Sequence, residues 1–199
     1  MAFIKTIPED RAEELVQEQY QAARKSMSYV PNYVKAFSVR PEVYDAWSKL
    51  ISTIRSNMKL RRYELVTFAS AMALGCRYCM LAHGALLRKN FFTAEQLAAI
   101  LRDFRNAGLP PEEVALMSFA QKVIIQAPQI SESDLDELRK YGLSDVEIFD
   151  VILACTARSF FSKTLDAVGA IPDEAYRELE LEFRQLPEWA GYFDRGPKE

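Results

Sequence analysis

Nine consecutive residues hold most of the chemistry this chain could perform: Gly75-Cys76-Arg77-Tyr78-Cys79-Met80-Leu81-Ala82-His83. They contain two of the three cysteines and the single histidine of a 199-residue chain, and Glu64 stands twelve residues before Cys76. Thiolates are nucleophiles that oxidise reversibly. An imidazole moves protons near neutral pH, and a carboxylate can orient it or relay its proton. On a helix over residues 76–89, Cys76 and Cys79 are i and i+3, and Cys79 and His83 are i and i+4. Two thiols and a base then share one helix face.

Glu64 joins them only if the chain turns back. In one unbroken helix it would lie roughly 22 Å from Cys79, at about 1.5 Å per residue. Gly75 offers the break, because glycine ends helices readily, and a fold-back there would lay Glu64 over the Cys-His face. The stretch from Arg61 to Leu74 is apolar on nearly every side and is expected to be a central, buried helix.

Around this pair the chain reads as helix after helix. Pro8 opens a helix expected to run to about Met27, and a short one ends near Phe37 after the Tyr29-Val30-Pro31-Asn32 turn. Pro41 starts a helix with Val43, Tyr44, Trp47, Leu50, Ile51 and Ile54 on one face. Thr93, Pro110-Pro111, Ser131 and Ser144 open four more helices, and Gly108, Gly142 and Gly169 close three of them. Pro172 starts a charged helix from Asp173 to about Gln185. The tail beyond is polar and expected to be loose. Few segments alternate with period two, so strands are not expected. The fold class is all-α, in a single helical domain over residues 1–199.

About half the residues are apolar, enough for a sizeable core. Net charge is −3 with no basic block, which argues against a nucleic-acid partner. No apolar run approaches membrane-spanning length, and the N-terminus lacks a signal-peptide pattern. An odd cysteine count with two close together fits a reducing cytoplasm better than a disulfide framework. No cofactor or metal is called for.

A repeat is visible. Glu147, Ser159, Ser162 and Asp166 copy the spacing of Glu64, Cys76, Cys79 and His83 at an offset of 83 residues. The chain reads as two similar helical halves, about residues 41–107 and 111–170, of which only the first keeps redox chemistry.

The Glu-x11-Cys-x2-Cys-x3-His pattern resembles the alkylhydroperoxidase D-like, carboxymuconolactone decarboxylase superfamily. Val30-Pro31-Asn32, Arg40-Pro41-Glu42 and Ala82-His83-Gly84-Ala85 agree with it. Gly142-Leu143-Ser144-Asp145 through Asp166-Ala167-Val168-Gly169 resembles its peroxidase-related branch. The resemblance implies an all-helical fold and thiol-dependent reduction of organic hydroperoxides or hydrogen peroxide. It implies Cys79 as the cysteine that attacks the peroxide, Cys76 as its resolving partner, and His83 with Glu64 as a proton relay. It also implies a peroxide substrate, a dithiol reductant and a homo-oligomer, trimer or hexamer. Where the alkylhydroperoxidase branch has a histidine before its second cysteine, this chain has Tyr78. A phenol of pKa about 10 is no base near pH 7.

The physical demand of such chemistry can be stated. A free thiol of pKa about 8.5 is only about 3% thiolate at pH 7, and lowering it two units raises that to roughly three quarters, for about 2.7 kcal/mol. A helix N-terminus supplies part of this and a nearby imidazole the rest. A sulfenic acid on Cys79 could then condense with Cys76 before over-oxidation. Other readings of the same residues are a decarboxylase-like lyase, a non-enzymatic redox sensor, or a zinc site with Cys155 or Glu64 as fourth ligand. A decarboxylase has no need of a dithiol. Cys155 reads as a small core residue, and Met72, Met80, Phe91, Phe92, Phe160 and Phe161 as packing.

Overall fold

A computed structural model describes residues 2–187 and 189. Among them are ten α-helices and no strand. They are α1 (Glu14–Met27), α2 (Asn32–Ala36), α3 (Pro41–Ser56), α4 (Leu60–Leu74), α5 (Arg77–Asn90), α6 (Ala94–Asp103), α7 (Pro111–Gln126), α8 (Glu132–Arg139), α9 (Asp145–Ala167) and α10 (Arg177–Arg184). The expected all-α fold is the observed one. The tail expected to be loose beyond Gln185 is instead anchored where it is described: Leu186 is buried and Trp189 Nε1 donates to the Leu101 carbonyl at 2.7 Å. The rest of it lies outside the described residues.

The apolar α4 is the hub. Every residue from Tyr63 to Met72 is buried, and the helix packs against α5, α7 and α9. A helix apolar on all sides lowers its free energy only when surrounded, so its neighbours are set by its composition. Gly75 ends it in the left-handed conformation at φ 67°. The Cys76 amide then donates back to the Ala71 carbonyl at 3.1 Å, closing a glycine C-cap. The chain reverses there and α5 runs back along α4, the fold-back that Glu64 requires.

Gly84 fixes the far side of α5. A Cβ on it would come within 3.1 Å of the Phe183 ring, so the missing side chain is what lets α10 seat against the helix carrying Cys79 and His83. Capping boxes at Thr93, Ser131 and Ser144 start α6, α8 and α9 where the sequence places them.

Three expectations differ in detail. Pro8 opens only a 3-10 turn, Glu9–Arg11, and α1 begins at Glu14. The preceding segment is pinned across the fold instead: the Ile7 amide donates to Ser38 Oγ at 2.8 Å, and Tyr20 donates to the Ile7 carbonyl at 2.6 Å. Leu50 does not share the buried face of α3 but is 49% exposed. The charged C-terminal helix starts as a 3-10 turn, Glu174–Tyr176, before α10. No helix among the described residues is long and apolar enough to cross a membrane.

Candidate active site

Glu64, Cys76, Cys79 and His83 meet where α4 and α5 face each other, beside α9. All four are buried. His83 Nδ1 lies 2.7 Å from Glu64 Oε2 and 3.2 Å from Thr67 Oγ1. The tautomer follows from the partners. The Thr67 hydroxyl donates to the Tyr63 carbonyl at 2.8 Å, and a carboxylate only accepts, so Nδ1 carries the hydrogen. That leaves Nε2 as the free acceptor of the ring, one turn from Cys79.

Cys76 is the N-cap of α5 rather than its first helical residue, and Cys79 lies in the first turn. The amide dipoles of that turn favour negative charge on Cys79. α9 supplies the rest. Ser162 Oγ donates to Cys79 Sγ at 3.1 Å, and Arg158 Nη1 donates to the same sulfur at 3.7 Å. Burial alone would push the Cys79 thiol up. The hydrogen bond from Cys76, the Arg158 charge, the Ser162 hydroxyl and the His83 ring overcome it and bring the thiol down to about 5.

Cys76 goes the other way. Its thiol donates toward Cys79 and is raised well above the ordinary value by that bond, by burial and by the charges of Cys79 and Asp166. It also points at the Ser162 carbonyl, 3.8 Å away. One turn further along α9 lies Asp166, close enough for Cys76 to hold its carboxyl down. Partial desolvation and the Cys79 charge outweigh the Cys76 effect and lift that carboxyl to about 6. Cys155 is remote from this pair. Burial drives its thiol up to about 12, and it turns to Ser70. No three His, Cys, Asp or Glu side chains among the described residues are arranged to hold a metal ion.

The cavity in front of Cys79 has a volume of about 450 Å³. Cys79, His83, Glu64 and Arg158 line it, with Tyr33, Trp47, Phe161 and Tyr176. The Trp47 and Phe161 rings stack at 4.0 Å, so Phe161 is a cavity wall as well as packing. Tyr78 is no base here. Its hydroxyl donates to Asp173, which also accepts from the Asn32 amide at 2.8 Å, and the Tyr33 amide donates to the Tyr78 oxygen at 3.2 Å. Tyr78, just before the second cysteine, thus ties α2 and the C-terminal segment together beside the cavity.

Arg158 is the site residue that helical spacing alone does not reveal. Only 4% exposed, it has no carboxylate partner among the described residues. Its neighbours are Cys79 and the Phe161 ring, 5.4 Å away. An arginine inside the apolar run Ile152-Leu153-Ala154-Cys155-Thr156-Ala157 to Phe160-Phe161 is the available signal, since a buried charge needs a partner. Ser162 and Asp166 were visible as repeat positions, and they abut the cysteines rather than standing apart from them.

Residues 41–122 match the carboxymuconolactone decarboxylase family. No curated protein matches the chain. Among solved structures, the chain is similar to the alkylhydroperoxidase AhpD core, peroxidase-related protein of Ralstonia eutropha JMP134, with 21% identity, a TM-score of 0.76, and 87% of this chain and 96% of that chain covered. A peroxidase-related protein of Silicibacter sp. TM1040 gives 20%, 0.75, 87% and 90%. A complex of the debrominase Bmp8 with 2,3,4-tribromopyrrole gives 14%, 0.75, 92% and 100%. At these identities the likeness speaks to the fold, which is the AhpD-like all-α fold.

Proposed function

We propose that this chain, whose residues 41–122 carry the carboxymuconolactone decarboxylase family pattern on an AhpD-like fold, is a thiol-dependent peroxidase. The observation that carries the reading is the Cys79 sulfur, held by Ser162 at 3.1 Å and Arg158 at 3.7 Å, at the wall of a cavity it shares with the His83–Glu64 pair.

The Cys79 proton passes to His83 Nε2, and Glu64 stabilises the imidazolium through Nδ1–H. The thiolate attacks the terminal peroxide oxygen. The S–O bond forms, the O–O bond breaks, and the leaving alkoxide takes the proton back from His83 as an alcohol. Arg158 faces the negative charge as it shifts from sulfur to oxygen. Cys76 then attacks the sulfenic sulfur, so that S–S forms and S–OH breaks. Its proton passes to Asp166 and on to the departing hydroxide, which leaves as water. A dithiol reductant returns two electrons and two protons.

Peroxide turnover with dithiothreitol tests this. Cys79→Ser should abolish it. Cys76→Ser should permit one oxidation event and leave a sulfenic acid on Cys79 that dimedone traps. Turnover that survives Cys79→Ser sinks the reading.

A second reading has one observation behind it. The stacked Trp47 and Phe161 rings beside Cys79 suit a flat aromatic ring, and a debrominase shares the fold. Bromide release from tribromopyrrole without peroxide turnover would move the assignment there. The chain is also proposed to self-associate. Val146, Phe149 and Phe160 of α9 are 70%, 57% and 47% exposed, more large apolar surface along one helix than a solvated face normally carries. Light scattering at 22.8 kDa and micromolar concentration would refute it.

A further inference from the structure

The cavity in front of Cys79 has two unlike ends. At one end stand Tyr33, Trp47 and Phe161, with ring centroids 5.7 Å apart for Tyr33–Phe161 and 4.0 Å for Trp47–Phe161. At the other stand Arg55 and Lys89, which also line the cavity, are exposed, and pair with no carboxylate among the described residues. Helix geometry sets the distances. Lys89 lies ten residues beyond Cys79 on α5, about 15 Å along the axis, and Arg55 lies eight beyond Trp47 on α3, about 12 Å. Arg55 sits over the Tyr63 ring at 5.7 Å, and Tyr63 meets the His83 ring edge-on at 6.4 Å. The cationic end is therefore the His83 side of the cavity, and the sulfur lies between the two ends.

Two polar atoms at that midpoint lack partners. Arg158 Nε, a donor, and Glu64 Oε1, an acceptor, are both buried and unsatisfied, and both residues line the cavity; the indole Nε1 of Trp47, at the ring end, is a third such atom. Orphaned buried polar atoms on a cavity wall mark a place for a ligand group. A hydroperoxide matches this pair, since its oxygens accept from Nε and its O–H donates to Oε1.

We propose that the cavity binds an amphipathic hydroperoxide whose apolar end lies among Tyr33, Trp47 and Phe161, whose carboxylate meets Arg55 and Lys89, and whose hydroperoxide group is internal. A hydroperoxide of an unsaturated fatty acid has this order of groups. Hydrogen peroxide would use the midpoint alone, and a small neutral alkyl hydroperoxide the midpoint and the apolar end.

The binding part stands apart from catalysis; only the turnover part rests on the thiol-peroxidase reading. Calorimetric titration of the wild-type chain with 13-hydroxy-octadecadienoic acid, the unreactive alcohol, and with its methyl ester reads the first. The acid should bind roughly fivefold or more tightly than the ester, as two partly exposed ion pairs allow. That preference should disappear in Arg55→Gln/Lys89→Gln and shrink at high salt. Steady-state kinetics with the matching hydroperoxides reads the second, with the acid ahead of the ester through KM. Equal affinity for acid and ester, or a preference unmoved in the double variant, overturns the proposal. Selective acid binding without turnover of any hydroperoxide leaves the binding site standing and sinks the peroxidase reading. Turnover with no acid preference does the reverse.

Discussion

Glu64 to His83 and Glu147 to Asp166 carry the same residue spacing, yet they fold differently. The first stretch is interrupted at Gly75 and doubles back as α4 and α5. The second is one uninterrupted helix, α9, in which Arg158 occupies the position matching Gly75. Doubling back brings Glu64 onto His83, nineteen residues later, at 2.7 Å. Without a break, Glu147 stays roughly 22 Å from Ser162 at about 1.5 Å per residue. It binds Arg62 at 2.8 Å and accepts from the Ser144 amide at 2.9 Å, a capping role. Continuity gives α9 something else. Arg158, Ser162 and Asp166 are i, i+4 and i+8, one stripe laid against both cysteines. One spacing thus yields a carboxylate–imidazole pair, the proposed relay, where glycine breaks it and polar contacts to the cysteines where the helix runs on.

The comparison can be broken at several points. The relay carries the largest expected effect after the nucleophile itself. His83→Gln should slow peroxide attack near pH 7 on the order of 10²-fold, and Glu64→Gln should slow it less, as read by stopped-flow. If neither variant changes the rate, the doubled-back stretch is structural and the relay must be withdrawn.

Arg158 is the next lever. With Cys79 lowered to about 5, Cys76 raised, and Cys155 at about 12, alkylation below pH 8 reports Cys79 alone. Its rate should rise through about pH 5 in the wild type and then level off. Arg158→Gln should move the midpoint up by about one to two units, the equivalent of a charge-assisted hydrogen bond of ~1.5–3 kcal/mol. The linkage has a definite sign. A depressed thiol pKa stabilises the fold fully above the unfolded value of about 8.5, and that contribution fades as pH falls toward the folded value. The melting-temperature gap between wild type and Cys79→Ser should therefore narrow from pH 8.5 to 5. A gap that widens on acidification contradicts the thiolate assignment.

Asp166→Asn should act later in the cycle. Sulfenic acid should form at the normal rate, and its dimedone-trappable lifetime should lengthen on the order of tenfold. That is below the usual general-base range, because solvent reaches the same position. Slower formation instead would place Asp166 on the Cys79 side.

Glu147→Gln should do least. Peroxide attack should be unchanged and stability should fall by about 1 kcal/mol or less, the scale of a capping contact and an exposed ion pair. A loss of activity there would mean that the two glutamates are more alike than their surroundings suggest.

Much of this was legible in the sequence because it is local. Cys79 and His83 are neighbours by helix geometry, Gly75 announces the reversal, and the apolar run around Leu65–Leu74 announces the hub. What stayed hidden is what the tertiary fold alone decides. Nothing in helical spacing connects Arg158 to Cys79, and nothing distinguishes Trp47 and Phe161 as cavity wall from ordinary core. Leu50 fits the apolar period of α3 and still faces solvent, because periodicity identifies a face and not what covers it. Tyr78 could be dismissed as a base from its chemistry, but its bond to Asp173 spans 95 residues and has no local sign.

The contact between Arg158 and Cys79 joins positions 79 residues apart, so the thiol acquires its acidity only when the helix carrying Arg158 has docked. Before that, during synthesis or after unfolding, Cys79 is an ordinary thiol, about 3% ionised at pH 7 and slow toward electrophiles. Reactivity is therefore a clock for the last stages of folding. Pulses of iodoacetamide at pH 6 during refolding should label Cys79 only after α9 is in place. The same delay leaves the half-made protein with an unactivated thiol at this position.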